Sequence, residues 1–247
     1  MIPSDFNFHG NIIAFDLDDT LYSERNFVFS GINALVDAFL PQAHRAEAAK
    51  KLREVFLGGG NFMDALAEGY PEAAACKGSR EERIKEFLEI YRNHCPSINL
   101  RKGMLDLLVT LRTPTTKFAL ITDGRSTSQR NKIKVLGIEE FFAPENILIS
   151  EETGSEKITG EPFRSIMHRY PEARGFFYLG DNVAKDFEEP MFMGWSVICM
   201  LDSEGVNIHH QNPEELKRLS TMGCFFRTAS TPAEAEGIIR ETCSKFQ

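Results

Sequence analysis

The sequence predicts an α/β protein with a doubly wound parallel sheet and an all-helical segment inserted after the first strand. Five short runs that are apolar at nearly every position recur along the chain, as expected of strands buried on both faces of a parallel sheet. Amphipathic segments of helical period separate the later runs. Between the first and second runs the period is helical throughout, which indicates an insertion.

The strands and their crossovers can be placed in order along the chain. The strand candidates are "NIIAF" at 11–15, "KFALI" at 117–121, "NILI" at 146–149, "GFFYL" at 175–179 and "SVICM" at 196–200. The helix candidates between them are residues 104–111, 127–136 and 163–169, and Gly137 is a typical stop for the second. These five strands with helical crossovers predict the doubly wound sheet.

The inserted block extends from about Phe27 to His94. Its apolar residues recur at helical spacing, and Ser79 with Glu82 forms a capping box that opens its last helix. Pro96 closes the block. We therefore expect a core domain of residues 1–22 and 97–247, with a helical cap domain of residues 23–96.

Composition limits the class of partner and the compartment. The 247 residues are 42% hydrophobic and 26% charged, as in ordinary soluble proteins, and the net charge is −8. This acidic balance argues against binding to nucleic acid or to anionic membranes. The five cysteines are odd in number and form no CxxC pair, and the first residues lack signal-peptide character. A cytoplasmic protein is expected.

Polar or ionisable side chains follow four of the five strand candidates. They are Asp16, then Thr122 with Asp123, then Lys157, then Asp181 with Asp186. In open parallel sheets, ligands bind beyond the carboxyl ends of the strands, at the point where the strand order reverses. We therefore expect these side chains to converge on one site.

Four segments carry a family resemblance. "DLDDT", "ITDG", "EKITGEPF" and "GDNVAKD" resemble, in order, the four motifs of the haloacid dehalogenase-like (HAD) superfamily of phosphatases and phosphotransferases. The resemblance covers the whole chain, including the helical insertion after the first motif. It implies a phosphatase that acts on a small phosphorylated metabolite, with Asp16 as the nucleophile that forms an aspartyl-phosphate. Asp18 is then the general acid and base, and its presence favours phosphoryl transfer over carbon–halogen cleavage.

The resemblance also implies a Mg²⁺ cofactor and a cradle for the phosphoryl group. The expected metal ligands are Asp16, the backbone carbonyl of Asp18, Asp181 and Asp186. The expected phosphoryl contacts are the Thr122 hydroxyl, the N–H groups of Asp123 and Gly124, and Lys157, which balances charge. Arg125 is a candidate contact for a substrate anion, or an exposed side chain.

Several alternatives stay open on the sequence alone. A phosphomutase uses the same aspartyl-phosphate, and a binding or regulatory protein could retain the fold without turnover. Sugar phosphates and nucleotides are both possible substrates. Among the remaining polar residues, Asp19 is expected to have a structural role, His209 to lie in a solvated loop, and Tyr22 and Arg25 to be possible substrate contacts.

Overall fold

Six parallel strands form one sheet in the computed structural model, which describes residues 9–70, 79–223 and 225–244. The strands are β1 (Asn11–Phe15), β2 (Thr116–Thr122), β3 (Ile147–Ile149), β4 (Gly175–Gly180), β5 (Ser196–Met200) and β6 (Phe226–Ala229). Their order is β3-β2-β1-β4-β5-β6. Successive strands are added on one side of β1 as far as β3 and on its other side from β4 onward, so the strand order reverses between β1 and β4. The predicted doubly wound α/β fold is confirmed.

Within the described residues, eleven α-helices accompany the sheet. They are α1 (Glu24–Phe39), α2 (Gln42–Leu57), α3 (Phe62–Gly69), α4 (Arg80–Asn93), α5 (Met104–Leu111), α6 (Ser126–Leu136), α7 (Ser150–Thr153), α8 (Glu161–Arg169), α9 (Glu188–Phe192), α10 (Pro213–Thr221) and α11 (Pro232–Ser244). Helix α5 has the predicted bounds, whereas α6 and α8 begin one and two residues early. No helix among these residues has the length and apolar character that a membrane crossing requires.

Apolar side chains cover both faces of the sheet. On β1, Ile13 and Phe15 belong to one buried cluster, whereas Ile12 and Ala14 belong to another on the opposite face. This division follows from the alternation of side chains along a strand. It explains why the central strands are apolar at nearly every position.

Strand β6 was not predicted. Its two central residues, Arg227 and Thr228, are exposed, and it pairs only with β5 at the edge of the sheet. Because only its two end residues, Phe226 and Ala229, are apolar and the segment is four residues long, its pattern does not stand out from a loop.

Helices α1 to α4 occupy the insertion between β1 and β2. They share an apolar cluster of their own, built around Ile32, Leu35, Leu52, Leu66 and Phe87. The predicted capping box at the start of α4 is present. The two connections to the sheet run side by side: Tyr22 and Leu100 form an isolated antiparallel bridge.

Candidate active site

A cavity of about 150 Å³ lies beyond the carboxyl ends of β1, β2 and β4. Six of the predicted catalytic, substrate-binding and metal-binding residues line it: Asp16, Asp18, Thr122, Asp123, Lys157 and Asp181. Parallel pairing of β1 with both β2 and β4 brings their ends to the same edge of the sheet. The convergence expected from the order of the motifs is therefore found in the structure.

Asp16, Lys157 and Asp186 form a buried ion-pair cluster at the base of this cavity. The Asp16 N–H donates to the Leu179 carbonyl at 2.8 Å, which extends the pairing of β1 with β4 by one residue. Lys157 Nζ lies 2.9 Å from Asp16 Oδ1 and 2.6 Å from Asp186 Oδ1. One ammonium group is thus shared between two carboxylates.

Asp181 brings a third carboxylate to the same cluster. Burial, together with Asp16 and Asp186, raises its pKa to about 9. Burial likewise raises the pKa of Asp16 to about 8, although Lys157 acts in the opposite direction. Burial disfavours the Lys157 ammonium, yet Asp16 and Asp186 more than offset it and hold the lysine pKa well above its usual range. Three carboxyl groups thus surround a single ammonium group.

This group of three carboxyl side chains fits a divalent cation. Oxygen atoms of Asp16, Asp181 and Asp186 all lie within 4.8 Å of one another. Carboxylates are the protein ligands that hard cations such as Mg²⁺ prefer. A cation at this position would favour the ionised forms of Asp16 and Asp181, whose charge burial otherwise disfavours.

Asp18 is only two residues from Asp16 but has a different environment. Its Oδ1 accepts hydrogen bonds from Lys132 Nζ at 2.7 Å and from the Tyr22 hydroxyl, and its Oδ2 accepts one from Gln129 Nε2 at 2.8 Å. Burial acts to raise the pKa of Asp18, but Lys132 and the hydrogen bonds outweigh it and lower the pKa. The two carboxyl groups therefore have separate partners, and their pKa values are shifted in opposite directions.

Thr122 and Asp123 end β2 beside this pair. Thr122 is 1% exposed, and its Oγ1 accepts a hydrogen bond from Gln129 Nε2 at 2.6 Å. Asp123 Oδ1 accepts the backbone N–H of Lys157 at 3.0 Å. Asp123 thereby fixes the start of the short 3₁₀ turn from which Lys157 reaches the cavity.

Gly124 and Arg125 have a different placement. The Gly124 N–H donates to Ser150 Oγ at 2.9 Å, and Gly124 has φ of 146°, where a Cβ would lie 3.1 Å from Gln129 Cδ. Arg125 forms an ion pair with Glu151 and is exposed. Both line a neighbouring cavity rather than the one that contains Asp16.

Gln129 and Lys132 are the residues of the site that the sequence reading missed. Both are buried on the inner face of α6, at i and i+3, together with Ile133. The sequence did contain one signal for them. The two polar residues lie on the same helix face as the apolar Ile133, which indicates that they are buried. Glu24, Asn182 and Lys185 also line the cavity.

The loop after β5 contributes more to the site than expected. Its Asn207 side chain donates to Asp181 Oδ2 at 2.8 Å, and the Ile208 N–H donates to Asp19 Oδ2 at 2.7 Å. His209 is exposed, as expected of a solvated loop, but it lies at the cavity.

Three other residues near the first motif form hydrogen bonds within the protein. Asp19 is 2% exposed and also accepts the Glu24 N–H, in keeping with a structural role. Tyr22 is buried and directed to Asp18, and Arg25 donates to the Gly205 carbonyl.

Known proteins of similar sequence include two archaeal enzymes. The chain is 26% identical over 194 residues to the glyceraldehyde 3-phosphate phosphatase of Methanocaldococcus jannaschii, which covers 76% of this chain and 84% of the relative. The enzyme of the same name from Methanothermobacter thermautotrophicus is 26% identical over 164 residues, or 64% of this chain and 70% of the relative.

Solved structures of HAD proteins share the fold. A candidate HAD hydrolase from Bacillus subtilis, YfnB, bound to magnesium, aligns with a TM-score of 0.59 and 17% identity over 93% of this chain and 98% of that one. A candidate β-phosphoglucomutase from Thermotoga maritima aligns with a TM-score of 0.60 and 14% identity over 94% and 99%. Residues 13–199 match the sequence profile of haloacid dehalogenase-like hydrolases, which covers the first, second, third and fourth motifs alike. The chain therefore belongs to the haloacid dehalogenase-like hydrolase family.

Proposed function

We propose that this protein is a Mg²⁺-dependent phosphatase that hydrolyses a small phosphorylated metabolite through an aspartyl-phosphate on Asp16. One observation carries the proposal. Two carboxylates in unlike environments face the same small cavity: Asp16 in the cluster of Lys157, and Asp18 in a separate network of donors. The proposal assigns the attack on phosphorus to the first of these carboxyl groups and proton transfer to the second.

In the first step, a carboxylate oxygen of Asp16 attacks the phosphorus atom. The bond from phosphorus to the leaving oxygen breaks, and Asp18 gives that oxygen a proton. In the second step, water attacks the same phosphorus atom, Asp18 accepts the proton, and the bond to Asp16 breaks. Inorganic phosphate leaves, and both carboxyl groups return to their starting states.

Asp16, Asp181 and Asp186, with the backbone carbonyl of Asp18, would hold Mg²⁺. The cation supplies positive charge that offsets repulsion between the nucleophile and the phosphate. Lys157 adds a fixed positive charge beside Asp16. Thr122 lies beside the same pair, where its hydroxyl can contact a phosphoryl oxygen.

The size of the cavity favours a short substrate. Its 150 Å³ is about half the lower end of ordinary ligand pockets, which hold roughly 300–1,000 Å³. Two relatives are named glyceraldehyde 3-phosphate phosphatases. We propose a triose phosphate such as glyceraldehyde 3-phosphate as the substrate.

Residues 23–96 are proposed to be a cap domain on a core of residues 1–22 and 97–247. Helices α1 to α4 have an apolar cluster of their own, and the two connections run side by side. Glu24, in the first turn of α1, lines the cavity, so the insertion already contributes to its wall. A cap of this kind excludes water while the aspartyl-phosphate forms.

The test is release of inorganic phosphate from a panel of phosphorylated metabolites that includes glyceraldehyde 3-phosphate, with Mg²⁺ and with EDTA. We expect Mg²⁺-dependent release, highest kcat/KM for triose phosphates, and no activity in Asp16→Asn. An isomerised phosphate ester without phosphate release would indicate a mutase. Equal behaviour of the wild type and Asp16→Asn would refute the aspartyl-phosphate mechanism.

A further inference from the structure

Lys132 is a buried lysine that none of the four motifs contains. It lies on α6, is 4% exposed, and has Asp18 as its ion-pair partner among the described residues. A lysine is rarely buried unless its charge is paired, because removal of the ammonium from water is costly. Its burial therefore requires a fixed carboxylate at this position.

Two aromatic rings near the start of the helical insertion also lie close to the ammonium. Lys132 Nζ lies 4.2 Å from the centroid of the Phe27 ring and 5.8 Å from that of Tyr22. Aromatic faces attract cations at these separations. Lys132 is held between these rings and Asp18, so it has little freedom to move away.

Three donors on two elements restrain the Asp18 carboxylate. Tyr22 precedes α1, whereas Gln129 and Lys132 project from α6, one helical turn apart. Gln129 also donates to Thr122, which joins this network to the end of β2. Lys132 supplies the only charged donor that the described residues offer to Asp18.

We infer that Lys132 is a positioning residue of the proposed phosphatase reaction, which holds Asp18 where it can exchange a proton with the leaving oxygen and with water. This inference rests on the proposed function. It assigns Lys132 no contact with substrate. Loss of Lys132 should impair each step that needs Asp18 and leave the attack by Asp16 intact.

Two substrates separate these steps. The p-nitrophenolate of p-nitrophenyl phosphate leaves without a proton, whereas the alkoxide of glyceraldehyde 3-phosphate requires one. In Lys132→Met we expect kcat/KM for glyceraldehyde 3-phosphate to fall about 10- to 100-fold, less than the roughly 10²–10⁴-fold of proton-transfer catalysis as a whole because Asp18 itself remains. For p-nitrophenyl phosphate, kcat/KM should stay within about threefold, because it reports steps through aspartyl-phosphate formation.

Both substrates lead to the same aspartyl-phosphate, whose hydrolysis needs Asp18 as the base. In Lys132→Met, kcat should fall toward one common value for the two substrates, and p-nitrophenol should appear in a burst near one equivalent per site. The burst counts active sites, so misfolded protein cannot imitate it. The control is Lys134→Met, on the exposed face of the same helix, which should match the wild type.

A purely structural Lys132 would lower kcat/KM for both substrates equally and give no new burst; that outcome, or wild-type kinetics, overturns the inference. Where Lys132→Met yields too little folded protein, the shorter and uncharged Lys132→Gln should show the same signature. A wild type that releases no phosphate from either substrate refutes the proposed function, and the role of Lys132 with it.

Discussion

Asn207 Nδ2 lies 2.8 Å from Asp181 Oδ2, and this hydrogen bond joins the loop after β5 to the carboxylate cluster. The amide is itself held, because Arg101 Nη2 donates to Asn207 Oδ1 at 2.6 Å. A carboxylate with one oxygen fixed in this way can present its other oxygen to a cation at low entropic cost. Outer partners of this kind tune metal affinity.

The first prediction concerns the affinity for Mg²⁺. Asn207→Ala frees the Asp181 carboxylate to rotate, so the Mg²⁺ concentration that gives half-maximal activity should rise about tenfold, the low end of effects from outer-shell partners. The Mg²⁺-induced increase in melting temperature should shrink in parallel. The control is His210→Ala, an exposed residue in the same loop. Unchanged Mg²⁺ dependence of both quantities in Asn207→Ala would contradict this reading.

The second prediction concerns stability against pH without a cation. In the folded protein, burial and the neighbouring carboxyl groups raise the pKa of Asp181 from 3.8, its ordinary value, to about 9. Between these values the folded chain binds a proton that the unfolded chain has lost, so stability falls as pH rises. In EDTA the melting temperature should be lower at pH 8 than at pH 5 by at least about 2 °C, the shift that ~1 kcal/mol gives at this size.

Asp181→Asn should reduce this loss between pH 5 and pH 8, because the amide has no proton to release. Saturating Mg²⁺ should also reduce it in the wild type, since the cation stabilises the ionised carboxylate. Asp106→Asn, at an exposed position of α5, serves as the control and should keep the wild-type difference. A loss of the same size in Asp181→Asn as in the wild type would exclude Asp181 as its cause.

The third prediction concerns the apolar layer below Lys157. Phe163 on α8 is fully buried, and its ring centroid lies 5.0 Å from that of Tyr178 and 5.4 Å from that of Trp195. Phe163→Ala should lower the free energy of unfolding by about 3–5 kcal/mol, the usual cost of such a truncation. Urea unfolding followed by fluorescence of Trp195, the only tryptophan, measures it.

Phe192→Ala provides the matched control for that measurement. Phe192 is 71% exposed, and its truncation should change the free energy of unfolding by no more than about 0.5 kcal/mol. Similar losses in the two variants would show that the Phe163 ring is not the source of the stability.

Local pattern was sufficient to predict five of the six strands and the motif carboxylates. Five strands and the convergence of Asp16 and Asp181 follow from apolar runs and from what comes next along the chain. The partners of those carboxylates were harder to predict, because they are distant in sequence. Lys132 lies 114 residues from Asp18, and Asn207 lies 26 residues from Asp181, in a loop without a periodic pattern. Only the folded arrangement identifies such pairs.

The last prediction concerns Asp19, the third carboxylate of the first motif. Asp19 is buried, has φ of 54°, and accepts the N–H groups of Glu24 at 2.9 Å and Ile208 at 2.7 Å. Asp19→Ala leaves both donors without this acceptor and places alanine in the left-handed region. The free energy of unfolding should fall by at least about 3 kcal/mol, since each of the two unpaired groups costs about 1–3 kcal/mol and the backbone conformation adds about 1 kcal/mol.

Asp19→Asn separates these two causes. Asparagine tolerates the left-handed conformation and keeps one acceptor oxygen, so it should lose about half as much stability as alanine in urea unfolding. Because Ile208 adjoins Asn207, both variants should also require more Mg²⁺ for half-maximal activity, and alanine the more of the two. An asparagine variant that is less stable than the alanine variant would show that these hydrogen bonds do not account for the burial of Asp19.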